Sequence, residues 1–176
     1  MALIEFSIRE SSLGNLILVA REGKVIELDI RGQGSLEIRK ALVARFPDGI
    51  ESDRPFRSLH VMLDRYLRGQ KVDFTVDVDL SQEGEFTQRV LKALMKVPHG
   101  ELTSYGRLAA ALGYRNAAQA VGQALGRNPI PIIIPCHRVI RSDGTIGGFS
   151  MGLKYKERLL ALEGIRLRSC YPFYTL

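Results

Sequence analysis

A cysteine and a histidine stand side by side at Cys136-His137, behind a run in which Pro129, Pro131 and Pro135 bracket the apolar residues Ile132 to Ile134. Prolines fix φ and withhold amide donors, so they stiffen an approach that ends in a thiol held at a set depth. A lone cysteine in an apolar stretch is commonly an inert packing residue. Here His137 and Arg138 follow at once, and basic or cationic neighbours lower a thiol's pKa and raise its thiolate fraction, the form that attacks carbon. The segment therefore reads as a presented nucleophile. Consecutive residues of an extended chain point apart, so His137 is expected to act on Cys136 through a water. A histidine used in this way needs an orienting carboxylate. Glu163, ending a helix-like stretch with Leu153, Leu159, Leu160 and Leu162, is the candidate, against the plain alternative of a solvated helix residue. Gly144, Gly147, Gly148 and Gly152 surround Phe149 and Ser150, a composition that suits a flexible loop over a substrate or a simple hairpin connection.

The elements that must hold these groups follow from periodicity. Residues 15–20 and 24–30 are β-branched and apolar around the turn signal Arg21-Glu22-Gly23, which predicts a hairpin. Helical spacing of Leu36, Ala41, Leu42, Val43 and Phe46, and again of Leu59, Met62, Leu63, Tyr66 and Leu67, predicts two helices. A strand is expected over 72–78, and the polar stretch 79–84 reads as a linker. Beyond it, Phe86, Val90, Leu91, Leu94 and Met95 form one helical stripe ended by Pro98 and Gly100. Thr103 is expected to cap a short helix closed by Gly113, and Asn116 a second one running to about Gly126, in a helix-turn-helix. The second helix turns Val121, Ala124 and Leu125 inward and Ala118, Gln119, Gly122 and Gln123 outward. Such a small, uncharged face suits close approach to a minor groove better than base-edge readout in a major groove, and an ordinary buried helix pair is the alternative.

Composition narrows the class. Of 176 residues 45% are apolar and 25% charged, the balance of a globular chain. Residues 1–84 carry 12 Lys/Arg against 14 Asp/Glu, whereas 85–176 carry 13 against 5, so the net charge of +6 belongs to the second half. A polyanion-binding domain attached to a domain with another task would show this asymmetry, because each neutralised phosphate releases counterions. The expected division is 1–84 and 85–176. No apolar run approaches membrane-spanning length and the first residues do not resemble a signal peptide, so a cytoplasmic protein is expected. The two cysteines, Cys136 and Cys170, form no metal-binding pair, and Cys170 is read as chemically incidental.

The run Ile134-Pro135-Cys136-His137-Arg138-Val139 resembles the active-site signature of the O6-alkylguanine-DNA alkyltransferases, also called methylated-DNA–protein-cysteine methyltransferases. The likeness continues through Pro98-His99-Gly100-Glu101-Leu102-Thr103-Ser104-Tyr105-Gly106, Ala120-Val121-Gly122, Asn128-Pro129 and Leu159-Leu160-Ala161-Leu162-Glu163-Gly164, covering roughly 86–165. The resemblance implies an α+β protein, with a ribonuclease-H-like α/β domain preceding a winged helix-turn-helix domain that binds double-stranded DNA through the minor groove. It implies irreversible, single-turnover transfer of an alkyl group from O6-alkylguanine, and in some relatives O4-alkylthymine, to Cys136. His137 would activate the thiol through water and Glu163 would orient His137. Tyr105 would help rotate the target nucleotide, backbone groups at Cys136, Val139 and Ser150 would complete the guanine pocket, and Asn128 would brace the active-site loop. Arg115, Ala118, Gly122 and Arg138 fall on the implied DNA-binding surface. The implied protein is a monomer that works on the nucleoid or nuclear DNA without a cofactor. No metal is expected, since residues 1–135 lack cysteine.

Three positions depart from the family pattern. Gln119 stands where the family commonly has an intercalating arginine, so it can fill a gap in the base stack but brings no charge. Phe149 replaces a frequent tyrosine. Met151 occupies a frequent glycine position, where its bulk would narrow the pocket towards small alkyl groups. The competing functions are an alkyltransferase-like lesion sensor, which lacks the acceptor cysteine, a winged-helix transcription regulator without chemistry, and a cysteine hydrolase, for which no oxyanion-hole motif is evident.

Overall fold

The computed structural model describes residues 2–166, so Cys170 lies outside the described residues. Among the described residues, 2–83 with 129–133 form one compact unit, and 84–128 with 134–166 form the second.

In the first unit, strands β1 (Ile4–Ser11), β2 (Gly14–Arg21) and β3 (Lys24–Arg31) form an antiparallel meander. Glu22 and Gly23 join the last two, both at positive φ, as a two-residue turn matching the right-handed twist of its strands requires. Helix α1 (Ser35–Arg45) then crosses to β4 (Ile50–Glu51), which pairs parallel with β1 and gives the sheet order β3-β2-β1-β4. β2 is buried on both faces, and Phe6, Ile17 and Val19 pack with Ile38 and Leu42 of α1. The α1 stripe differs from the expected one: Leu36 and Val43 are exposed, and the buried residues are Ile38 and Leu42. Helix α2 (Arg57–Leu67) buries Leu59, His60, Leu63 and Tyr66. Two expectations need correction here. β1 carries the Ile4, Phe6, Ile8 alternation of a strand but was not anticipated, and residues 72–78 form no strand. Val78 makes only an isolated bridge to Val25, although Val72 is buried and Phe74 stacks obliquely on Tyr66.

The second unit opens with α3 (Glu85–Leu94), which buries Val90, Leu91 and Leu94 against the pair α4 (Tyr105–Ala111) and α5 (Ala118–Gly126). Strand β5 (Thr103–Ser104) directly precedes α4. The cap of α4 is Ser104, whose Oγ accepts the Arg107 N–H, while Thr103 lies in the strand. Asn116 is likewise not a cap: it takes φ 58° in the turn, and Ala117 occupies the N-cap position of α5 without a side-chain bond. β5 pairs in parallel with β6 (Val139–Ile140), through Thr103 with Val139 and Ser104 with Ile140. That short pairing has a positional consequence, since it fixes Tyr105 at the start of α4 relative to the Cys136–Arg138 turn just before β6. Helix α6 (Leu153–Leu162) closes the unit.

Candidate active site

Cys136, His137 and Arg138 form one turn of 3₁₀-helix rather than extended chain. All three are buried, with Cys136 5% exposed and His137 fully enclosed. The Asn128 amide nitrogen donates to the Ile134 carbonyl at 2.8 Å and lies 3.1 Å from Cys136 Sγ, bracing the segment that carries the thiol. Burial pushes the Cys136 thiol above its ordinary pKa, opposed by the Asn128 hydrogen bond, by the nearby Lys156 charge and by the N–H groups of Cys136 and His137. The expected lowering by His137 and Arg138 is thus not what the fold produces. Desolvation is the largest effect, and neither the His137 ring nor the Arg138 guanidinium is among the groups that oppose it.

Glu163 is the hub of the buried polar network. Its carboxylate accepts from His137 Nε2 at 2.7 Å, from Arg138 Nε and Nη2 at 2.9 Å each, and from the Gly100 N–H at 3.0 Å. Burial would raise this carboxyl, but the hydrogen bonds from His137 and Arg138 and the Gly100 donor hold it well below the usual carboxylate range. An ionised Glu163 only accepts, so His137 Nε2 carries the proton. Burial lowers the His137 pKa despite Glu163, which leaves the ring neutral with its lone pair on Nδ1. Arg138, expected on the DNA surface, is instead turned inward. Its remaining terminal nitrogen donates to the Val97 carbonyl at 2.6 Å, so the guanidinium is committed to holding Glu163 and the turn that follows α3.

Lys156 was not anticipated. Its side chain is fully buried, and its ammonium donates to the carbonyls of Val139 at 2.6 Å, Ile146 at 2.5 Å and Gly148 at 3.1 Å. Burial draws its pKa down to about 8, against the opposing pull of Cys136. The sequence does carry a signal: Lys156, Leu159, Leu160 and Glu163 recur at helical spacing and share the inner face of α6. The loop expected to be a flexible cover is therefore tied down. Gly147, at φ +69°, comes so close to Tyr105 that an added Cβ would sit 3.0 Å from its hydroxyl. Burial raises the Tyr105 pKa, partly offset by a hydrogen bond from the Gly148 backbone and by Arg141, so the phenol stays protonated at neutral pH.

These elements enclose a cavity of about 180 Å³, lined by Tyr105, Gly122, Leu125, Cys136, Phe149 and Ser150 among others. An apolar cavity of roughly 150 Å³ admits a benzene-sized ring, so this one has room for a planar aromatic ring against the thiol. A second, more open cleft of about 610 Å³ shares Tyr105, Gly122 and Gly148 with it and runs along Ala118 and Gln119 of α5. The structure thus brings Tyr105, Ala118, Gln119, Gly122, Cys136, Phe149 and Ser150 to two adjoining hollows. Val139 contributes its carbonyl to Lys156. Exposed Arg115 and half-buried Met151 line neither hollow. Among the described residues, no group of three or more His, Cys, Asp or Glu side chains converges where a metal ion could sit.

A helix-turn-helix unit joined in sequence to a small mixed sheet, with a buried thiol on the wall of a cavity, defines an α+β protein with a pocketed cysteine. Family models agree over both units. Residues 85–165 match the 6-O-methylguanine DNA methyltransferase DNA binding domain, and residues 4–80 match the ribonuclease-like domain of the same family. The chain belongs to the 6-O-methylguanine DNA methyltransferase family. It is 41% identical to a methylated-DNA–protein-cysteine methyltransferase of Methanosarcina barkeri, across 93% of this chain and 99% of the relative. Against that of Mycolicibacterium paratuberculosis it is 37% identical, across 92% and 93%. The crystal structure of Mycobacterium tuberculosis OGT in complex with DNA superposes with a TM-score of 0.78 at 36% identity, covering 90% of this chain and 92% of the other.

Proposed function

We infer that this protein repairs DNA directly, as a methylated-DNA–[protein]-cysteine S-methyltransferase that moves an alkyl group from O6-alkylguanine in duplex DNA to Cys136. The observation that carries this assignment is Cys136 Sγ on the wall of a ring-sized cavity, braced by Asn128 and beside a neutral histidine oriented by a carboxylate. No cavity wall of a duplex-bound protein reaches a stacked base, so the target nucleotide must leave the stack and enter the cavity from the open cleft. Minor-groove contact through the small outward face of α5 would bring that cleft onto the DNA.

In the proposed reaction, His137 Nδ1 takes the thiol proton by way of a water, and Glu163 holds the ring in the tautomer that can do so. The Sγ electron pair then forms a bond to the alkyl carbon while the bond from that carbon to guanine O6 breaks. Guanine keeps the bonding pair and takes up a proton, for which the Tyr105 hydroxyl on the cavity wall is the assigned donor, and the proton taken by His137 returns by way of solvent to restore that hydroxyl. The product is a thioether, and nothing in the site regenerates a thiol from it, so each molecule acts once. Asn128 holds the loop, Phe149 offers a face for the base and the Ser150 backbone borders it, while Arg115, Val139 and Met151 stay assigned to the surroundings of the DNA and base. We assign residues 1–84 as the α/β companion domain and 85 onward as the reactive, DNA-binding one. No helix among the described residues is long and apolar enough to cross a membrane; we propose action in the cytoplasm or on nuclear DNA, as a monomer.

Incubation with a molar excess of duplex carrying O6-methylguanine tests this. Nucleoside analysis should find one guanine restored per protein chain and then no further conversion. Conversion of many equivalents, or none, would overturn the assignment.

A further inference from the structure

The open cleft has two walls of different character. One is the outward face of α5, where Gln119, Gly122 and Gln123 supply no charge. The other is the turn after β6, which brings Arg141 and Asp143 to the rim, with Tyr105 at the junction with the inner cavity. Among the described residues lining this cleft, Arg141 is the one cation. A polyanion seated in the cleft needs such a group, because phosphate contacts set the register of a protein on a duplex.

The turn is built as a rigid presenter. The Arg141 N–H donates to the Thr145 carbonyl at 2.9 Å, and the Gly144 N–H returns to the Arg141 carbonyl at 3.0 Å with φ +83° at Gly144. Asp143, the one carboxylate on this rim, spends an oxygen inside the turn, accepting from the Thr145 N–H at 2.9 Å and the Thr145 hydroxyl at 2.7 Å. Its pKa is lowered first by those Thr145 bonds and only afterwards by the charge of Arg141. Among the described residues Arg141 makes no ion pair within 4.0 Å, and it is exposed. Its charge also acts on Tyr105 and Lys156, which puts its field at the mouth of the cavity.

We propose that Arg141 is a positioning residue that binds a DNA backbone phosphate at the cavity mouth, opposite the uncharged face of α5, and so seats the extruded nucleotide over Cys136. This rests on the repair function inferred above. Basic residues elsewhere on the unit add general attraction, whereas Arg141 lines the cleft that adjoins the reactive cavity at Tyr105, Gly122 and Gly148.

The test is the salt dependence of binding to an O6-methylguanine duplex, read by fluorescence anisotropy in a Cys136→Ser background so that no transfer intervenes. Each phosphate contact contributes about 0.9 to the slope of log K against log salt. Arg141→Gln should lose about that much slope and bind about eightfold more weakly at 0.1 M salt. Arg141→Lys should keep the slope. A merely structural role would lower affinity without changing the slope. An Arg141→Gln slope equal to that of the parent, or an Arg141→Lys slope as low as that of Arg141→Gln, overturns the proposal. Mass measurement of the wild-type chain after mixing with the same duplex separates the two levels. Methyl gain with an unmoved Arg141→Gln slope defeats only the role of Arg141, and absence of methyl gain defeats the repair function itself.

Discussion

Replacing Glu163 by glutamine keeps the length of the side chain and removes its charge, which isolates what the carboxylate does. In the wild type it accepts from both Arg138 nitrogens, from His137 Nε2 and from the Gly100 N–H. A glutamine has one accepting oxygen; at the Oε1 position it still accepts from His137 Nε2 and Arg138 Nη2, which sets the NH₂ group against two donors, Arg138 Nε and the Gly100 N–H. His137 then keeps its tautomer but loses the negative charge that stabilises the imidazolium formed when the ring takes the thiol proton. Loss of general-base assistance costs about 10²- to 10⁴-fold in rate. Leaving Arg138 buried without its counter-charge costs about 3–5 kcal/mol, or roughly 6–20 °C in melting temperature for a chain of this size. Single-turnover transfer from a methylated oligonucleotide, followed by intact mass, gives the rate, and circular dichroism gives the melting temperature. A second variant separates the two effects. Arg138→Met combined with Glu163→Gln removes the orphaned cation and should recover part of the melting temperature, yet transfer should stay slow. Recovery of the rate in the double variant, or a wild-type rate in Glu163→Gln, would refute the role of the carboxylate charge.

Three further outcomes are expected. Gly147→Ala combines a positive φ with a Cβ 3.0 Å from the Tyr105 hydroxyl, so it should destabilise by more than about 1 kcal/mol and slow transfer; an unchanged melting temperature would contradict the close approach. Stability should fall on acidification from neutrality: burial lowers the His137 pKa below 6.5, so the unfolded chain gains that proton first, and the contribution is full above about pH 6.5 and lost towards the folded value. Glu163, lowered from 4.5, extends the loss at lower pH, and urea midpoints that stay level from pH 7.5 to 4 would contradict both. Gln119→Arg adds a cation to the exposed α5 face of the cleft and should tighten duplex binding and speed duplex repair without changing the slow reaction with free O6-methylguanine base, since the base alone needs no extrusion. An equal change with the free base would show that residue 119 acts on the cavity instead.

Particular residues show what the sequence could and could not reveal. The β2–β3 hairpin was legible because Glu22-Gly23 meets a turn requirement that few dipeptides satisfy, and the buried stripe of α3 was legible because Val90, Leu91 and Leu94 fall on one face. The alternation over 72–78 is just as regular, yet only Val78 finds a bridging partner. Alternation says which side chains turn inward, not whether a neighbouring backbone is available for a ladder. Cys136, His137 and Glu163 were legible as a group through chemistry and family resemblance. Their electrostatics were not, since the net effect on the thiol depends on burial that spacing cannot report. Arg138 reads as a DNA contact and a cationic neighbour of the thiol, and only the fold shows its guanidinium turned onto Glu163. Lys156 was hidden for a related reason. A lysine among leucines reads as the solvated face of a helix until three backbone carbonyls are seen converging on its ammonium.

The central claim is that Cys136 is the permanent resting place of the alkyl group. Intact-mass analysis of the full-length chain after reaction with an O6-methylguanine duplex, followed by peptide mapping, measures it directly. The expected result is a gain of one methylene's mass on every chain, located on the peptide at Cys136 and absent from Cys136→Ser. Label on Cys170, or methyl gain in Cys136→Ser at the wild-type rate, would contradict the account.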